Sequence, residues 1–354
     1  MGPSPRQHQP AGAPACALPI AVSMGDPKGI GPDIALMSWR ERQRHALPTF
    51  VLYGDPEVLE GRARALGLDV PTRTLASLAE AAGAFSAALP VWPVPIAAAG
   101  TAGQDRATVA AIETAVAAVS AGEALAVVTN PIVKRTLDLS ELAYPGHTAF
   151  LAELAVRHGA ASRPLPVMML VAEELKVVPA TVHIPLAAVP RTLTRPLLAA
   201  TLRITAAALT HDFGVMRPRI AVAGLNPHAG EGGQIGREEM DLIKPAIDEV
   251  AGDGVAVSGP YSADTLFHAK ARIAYDAAVA MYHDQALIPI KTLAFDRGVN
   301  VTLGLPFVRT SPDHGTAFAL AGTGKAHPGS FIAALRVADA IGRRRAAARS
   351  SARS

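Results

Sequence analysis

Cysteine is nearly missing from this chain: Cys16 is the single one in 354 residues. One thiol cannot close an intrachain disulfide, and it excludes cysteine-built zinc or iron–sulfur centres. Such usage is compatible with a reducing compartment, so a cytoplasmic location is expected. Long apolar runs are absent as well. None approaches the ~20 residues of a membrane helix, and the opening MGPSPRQHQPAGAP lacks the apolar centre of a secretory signal. No membrane partner is expected. Neither sign of charge is in large excess, since 33 basic and 30 acidic residues leave +3, and part of the pI of 9.1 comes from the end Arg343 to Ser354. With no interior basic stripe, nucleic acid is excluded as an expected partner. Aromatic residues are scarce at 5%, against 50% hydrophobic overall. The rest describes an alanine-rich soluble chain, and at roughly 150 residues per domain its length suggests two lobes with ample material for a core.

Residues 1–17 are rich in Pro, Ala and Gln, and residues 343–354 read RRRAAARSSARS. Both are expected to be disordered tails. Between them short apolar runs alternate with longer amphipathic stretches, as in LPIAVS then GPDIALMSWRER and PTFVLYG then DPEVLEGRARAL. This alternation predicts an α/β fold with a mostly parallel sheet. KVVPATVH, RIAVAGLNPH, GVAVSGP, DAAVAMYH and VNVTLGLP read as further buried strands. Helices are predicted over 106–121, 194–210, 237–250 and 329–343.

Two glycine-rich segments imitate nucleotide motifs. GDPKGIGP follows the first strand, but its GxxxGxG spacing is not the GxGxxG of a dinucleotide fold. A tight strand-to-helix turn and a backbone approach to an anion are both open there. AGTGKAHPG resembles a phosphate loop, yet Ala319 and Ala326 occupy the positions where Gly and Ser or Thr belong, so it is not one.

Three strand candidates finish in histidine, at His183, His228 and His283. Each alone reads most simply as a capping or hydrogen-bonded residue. Together, at the carboxyl ends of parallel strands, they can converge on one point, where neutral imidazoles suit a divalent metal such as Zn, Co or Mn. Asp264, just after another strand, either joins that group or caps a helix. A second cluster is cationic and polar: Lys291, Asn300 and Arg309. An unpaired charge in so apolar a stretch is costly, and an anionic ligand relieves the cost. GHT at 146–148 and SPDHGT at 311–316 are each expected to open a helix and offer free N–H groups to a phosphate, with plain capping by Thr148 or Ser311 as the alternative.

MGDPKGIGPDI, YPGHTAF, LNPHAGEGGQIGREE, GPYSADTLFHAK and the long run from AMYHDQALIPIK to ALAGTGKA together resemble the 4-hydroxythreonine-4-phosphate dehydrogenase family of pyridoxal phosphate biosynthesis, from about Ile20 to about Leu335. The resemblance implies a three-layer α/β/α fold of the isocitrate and isopropylmalate dehydrogenase type, two lobes with a cleft. Residues 18–145 with 293–342 would form a cofactor-side lobe, and 146–292 a metal-binding and dimerisation lobe. It implies a homodimer whose divalent metal (Zn, Mg, Co or Mn) is held by His183, His228 and His283, with His283 supplied by the other protomer.

The family's contacts to its phosphorylated substrate map onto His147, Thr148, Lys291, Asn300 and Arg309, with Asp264 in the matching ADT. Lys291 and Asp264 are the expected catalytic groups, Lys291 for proton transfer. NAD or NADP is expected along VNVTLGLP and SPDHGTAFALAG, at Gly304, Leu305, Pro306 and Asp313. Lys28, Asn130 and Ala286 depart from the commoner pattern, which has a small residue at the first position and glycine at the other two. The implied reaction is oxidation of 4-phosphooxy-L-threonine to a β-keto acid that decarboxylates to 3-amino-2-oxopropyl phosphate. A paralogous dehydrogenase for a sugar-acid phosphate or a dihydrodiol carboxylate stays open, as does a metal-dependent phosphatase or a ligand-binding regulator on the same scaffold.

Overall fold

The computed structural model describes residues 18–97, 100–133, 136 and 146–351. The expected tail 1–17, with Cys16, lies outside the described residues. Twelve strands form one sheet: β1 (Ile20–Ser23), β2 (Phe50–Gly54), β3 (Thr72–Thr74), β4 (Leu89–Pro93), β5 (Val127–Thr129), β6 (Val167–Val171), β7 (Lys176–Pro179), β8 (Arg219–Ala223), β9 (Ala256–Tyr261), β10 (Ala277–Ala280), β11 (Val299–Leu303) and β12 (Arg309–Pro312). Their order across the sheet is β3-β4-β2-β1-β5-β12-β11-β6-β7-β10-β8-β9. The longer helices are α1 (Gly31–Arg40), α2 (Pro56–Leu66), α3 (Thr101–Ser120), α4 (His147–Arg157), α5 (Arg195–His211), α6 (Lys244–Gly252), α7 (His283–Ala294) and α8 (Gly329–Ser351).

The sheet is parallel at both ends and antiparallel in the middle. β1 to β5 and β12 run one way; β7, β8, β9 and β10 run the other, with antiparallel β11 and β6 between the two sets. Side chains alternate across a strand, so each strand feeds two cores. Ile20, Leu52, Val128, Val301, Met169 and Val279 belong to one continuous core that runs along one whole face. The other face carries two separate cores. Val51 and Val127 meet Ile112 and Val116 of α3 in the first, while Val177 and Ala278 meet Leu287 and Ile290 of α7 in the second. The gap between those two cores lies over β5, β12, β11 and β6, and there the cleft forms.

Helix limits follow local chemistry. Thr194 caps α5 by accepting from Leu197 N, and Pro196 fits its first turn. The predicted helix over 237–250 begins instead as a π-turn, Glu239–Ile243, before α6 takes over. α8 does not stop at residue 343, so the expected basic tail is ordered helix as far as Ser351. The reason is buried: Arg345 forms a two-pronged ion pair with Asp212, Nε to Oδ1 at 2.6 Å and Nη2 to Oδ2 at 2.8 Å, and Asp212 is only 3% exposed.

The GDPKGIGP segment proves to be a tight strand-to-helix turn. A Cβ on Gly31 would stand 2.2 Å from the Met24 carbonyl oxygen, which is backbone and cannot step aside. Gly31→Ala is therefore expected to cost about 1 to 3 kcal/mol of stability, read as a lower denaturant midpoint at unchanged slope; an unshifted midpoint would contradict this packing.

Candidate active site

The cleft encloses about 810 Å³, a size suited to a small ligand together with part of a cofactor. Its floor is the polar face of the central strands. Cross-strand register puts Asn300 opposite Ser311 and Thr302 opposite Arg309, all on one face, while Val299, Val301 and Thr310 point into the continuous core side. Thr129 enters from the end of β5. α4 starts at one wall and presents His147 and Thr148; α7 forms the other and presents His283, Leu287 and Lys291, one residue per turn along the same helix face.

Arg309 is the electrostatic centre. It is 5% exposed and pairs with no carboxylate among the described residues. Its Nε and Nη2 donate to Thr129 Oγ1 at 3.1 and 2.6 Å, and Nη1 donates to Thr302 Oγ1 at 2.9 Å. The fourth contact, Nη2 to His147 Nδ1 at 3.4 Å, fixes the imidazole's role, because a guanidinium only donates. His147 Nδ1 is therefore the acceptor and Nε2 carries the hydrogen. That Nε2 is closed off from solvent and has no partner among the described residues, as is true of Asn300 Oδ1. Burial pushes the Arg309 pKa down to about 10. The His147 pKa is held well below the ordinary 6.5, first by burial and then by the Arg309 charge. A buried cation beside an unpartnered N–H donor is built to receive an anion.

Lys291 Nζ lies 3.0 Å from Asp313 Oδ2 and donates to the Asp313 carbonyl at 3.1 Å. These contacts hold the Lys291 side chain at the cleft wall. Next to it His314 Nδ1 contacts the Gly315 carbonyl at 3.1 Å and Nε2 is buried without a partner.

His183 and His283 come together, ring centroids 5.5 Å apart. β7 and β10 are parallel neighbours, and Thr181 Oγ1 donates to the Met281 carbonyl at 2.8 Å, tying together the loops that carry the two rings. Asp284 Oδ1 lies 2.7 Å from His283 Nδ1, and with the hydrogen on Nδ1 the Nε2 atom presents a lone pair, as a metal ligand would need. His183 and His228 are two of only six non-glycine residues with positive φ among those described, at 50° and 52°, the strained backbone that clusters at functional sites. His228 does not line the cleft. It stands on the loop after β8, close enough to Asp264 to lower that carboxyl's pKa, although the hydrogen bond from Ser262 is the larger cause. Among the described residues of one chain, no group of three or more His, Cys, Asp or Glu side chains is gathered for a metal ion.

A family model described as pyridoxal phosphate biosynthetic protein PdxA matches residues 46–338. The chain belongs to that family. The 4-hydroxythreonine-4-phosphate dehydrogenase of Xanthobacter autotrophicus is 51% identical over 325 residues, covering 90% of this chain and 92% of the relative. The crystal structure of 4-hydroxythreonine-4-phosphate dehydrogenase from Klebsiella pneumoniae superposes with a TM-score of 0.81 at 37% identity, covering 93% and 99% of the two chains. A terephthalate 1,2-cis-dihydrodiol dehydrogenase from Burkholderia xenovorans is more distant, with TM-score 0.60, 29% identity and coverage of 92% and 98%.

Within this PdxA-family chain the cleft gathers His147, Thr148, His183, His283, Lys291, Asn300, Arg309 and Asp313 of the residues singled out from sequence. Others fall elsewhere. Gly304, Leu305 and Pro306 form the turn of the β11–β12 hairpin, beyond Thr302 and Arg309 and away from the Asn300 end; Leu305 is 4% exposed in a core and a Cβ on Gly304 would meet the Leu165 carbonyl at 2.5 Å. Gly304 and Pro306 are exposed, and none of the three lines the cleft. Asp264 is exposed and sits with His228 instead of Lys291. His283, expected from a second protomer, lies beside His183 of its own chain, because the strands before them are adjacent. SPDHGT opens no helix: Ser311 ends within β12 and the chain continues as a loop. Of the departures from the family pattern, Lys28 is exposed, and Ala286 is fully buried on the core face of α7, where its methyl packs.

Sequence reading missed Thr129, Thr302, Asp313 as the partner of Lys291, and His314. The alternation Val299, Asn300, Val301, Thr302, Leu303 does carry a signal, one polar face on an otherwise apolar strand.

The neutral His147 has a measurable consequence. Its folded pKa lies below the unfolded 6.5, so the unfolded chain takes up a proton that the folded chain refuses. Stability is complete above about 6.5 and falls as the pH drops below it. His314, also lowered chiefly by burial, adds in the same direction. His147→Gln should flatten the acid slope of unfolding free energy; a slope identical to wild type contradicts a buried neutral ring.

Proposed function

We propose that this chain oxidises the secondary alcohol of 4-phosphooxy-L-threonine with NAD or NADP and a divalent metal. The β-keto acid formed then loses CO2 to leave 3-amino-2-oxopropyl phosphate. The observation that carries the reading is Arg309, a buried cation that among the described residues has no carboxylate partner, beside the His147 N–H, which has no partner among them either, in a cleft also lined by two further imidazoles.

The residues divide the substrate between them. The Arg309 charge and His147 Nε2–H take the phosphate, helped by the hydroxyl of Thr148 and the N–H groups that open α4. Asn300 Oδ1, an acceptor without a partner, suits the ammonium. His183 and His283 of one chain hold the metal, and His228 of the partner subunit completes the set in a homodimer. Supporting the dimer, the large apolar side chains Leu186 and Ile288 are 67% and 64% exposed, each within a few residues of the histidine pair. When bound, the metal supplies Lewis acidity toward the alcohol and the keto acid, and the nicotinamide supplies the hydride acceptor. Lys291, held by Asp313, donates a proton to the carbon that loses CO2. The loop Asp313 to Thr316, bound to the GDPKGIGP turn by Ile30 N to the Thr316 carbonyl at 3.0 Å, forms the remaining wall open to the nucleotide. No helix of the described residues is long and apolar enough to cross a membrane, and we place the reaction in the cytoplasm.

The test is stoichiometry. Purified protein with 4-phosphooxy-L-threonine, nucleotide and divalent ion should release one CO2 for each nucleotide reduced. Phosphate release without nucleotide reduction would assign the cleft to a phosphatase.

A further inference from the structure

We propose that Glu239 is the positioning residue for His228, setting that imidazole for the shared metal; the inference rests on the metal reading given above. The chain from His228 to Gly232 has φ of 52°, 51°, 80°, 44° and 62°, five consecutive left-handed residues, three of which are not glycine. The left-handed region is unfavourable for each L-residue held there, so a run of this kind persists only when its surroundings fix it. The fixing group is a carboxylate. Glu239 is 3% exposed; its Oε1 accepts from Leu225 N at 2.8 Å and Asn226 N at 2.7 Å, and its Oε2 accepts from Asn226 Nδ2 at 3.0 Å.

The turn is also closed around that carboxylate by shape. A Cβ on Gly230 would lie 2.6 Å from Glu239 Oε2, and one on Gly224 would lie 3.1 Å from Oε1. Glu239 is presented by the π-turn at Glu239–Ile243, a widened helical turn of a kind frequent at functional sites. On the other side, Gln285 Nε2 donates to the Gly224 carbonyl at 2.8 Å, linking the β8 loop to the start of the helix that carries His283. Glu239 thus grips both residues before Pro227 and packs against Gly230 inside the left-handed turn that His228 begins.

The experiment compares Glu239→Gln, His228→Ala and the double variant for Zn or Co affinity by competition with a chromophoric chelator, alongside thermal midpoints of the metal-free proteins. Glu239→Gln turns one acceptor oxygen into an NH2 that must face N–H donors. It should weaken metal binding by about 10- to 100-fold, and in the His228→Ala background it should add no further loss. Glu239→Asp, which keeps the charge but withdraws it by one methylene, is the variant to read if the glutamine form does not fold, and it should show the same dependence on His228. Wild-type metal affinity in a folded Glu239 variant, or equal losses with and without His228, overturns the proposal and leaves the metal reading standing. If His228→Ala itself binds metal as wild type does, His228 is no ligand, and both fall.

Discussion

Arg309→Ala is expected to raise the KM for 4-phosphooxy-L-threonine by about 30-fold to several thousand-fold, the equivalent of roughly 2 to 5 kcal/mol. The size follows from burial and from the absence, among the described residues, of any competing carboxylate. A surface arginine would be screened by water and worth little, whereas Arg309 is nearly closed off and its partners are the neutral hydroxyls of Thr129 and Thr302 and the neutral ring of His147. Those partners occupy four of its five N–H groups. A phosphate therefore meets the full positive charge, the remaining N–H and His147 Nε2–H, two donors on one charge. Steady-state kinetics on the phosphorylated substrate and on its dephospho analogue separate the two effects. The variant should lose far less on the analogue, and an equal loss on both means that Arg309 does not read the phosphate.

Removal of the metal is expected to abolish turnover, with a divalent ion restoring it, and His183→Ala or His283→Ala should weaken metal binding by orders of magnitude. The arrangement of the histidines sharpens this into a mixing experiment. His183 and His283 neighbour each other in one chain, so a shared site draws His228 from the partner subunit. A heterodimer of a His228→Ala chain and a His283→Ala chain then has one site with both lesions and one with none, and activity should return toward about half of wild type by that symmetry count. Mixing His183→Ala with His283→Ala damages both sites and should stay inactive. Activity in both mixtures would place His283, and not His228, across the interface, and activity in the second alone would place His183 there; inactivity in both mixtures, with exchange confirmed, would put each site within one chain.

Much of this site is legible in the residues because its parts are periodic. Strand ends announce His183 and His283, one helix face carries His283 and Lys291, and the alternation through Asn300 and Thr302 marks a wet face on a central strand. What escapes is set by tertiary contact. Asp313 is read as a nucleotide ligand until Lys291 is found against it, and Gly304 to Pro306 look like a binding loop although they close a hairpin against the Leu165 carbonyl. A basic tail reads as disordered because Asp212, which anchors Arg345, is 133 positions away. The left-handed turn at His228 is invisible in composition, since three of its five residues, His228, Ala229 and Glu231, are not glycine and its support comes from Glu239, eleven positions on.

The reading of the cleft is tested most directly by reduced-nucleotide formation from a substrate panel under identical metal and nucleotide conditions: 4-phosphooxy-L-threonine, its dephospho form, a sugar-acid phosphate and a dihydrodiol carboxylate. The account predicts the highest kcat/KM for 4-phosphooxy-L-threonine, with the dephospho form far lower. A dihydrodiol carboxylate or the dephospho compound turned over as well as or better than the phosphorylated threonine would contradict it.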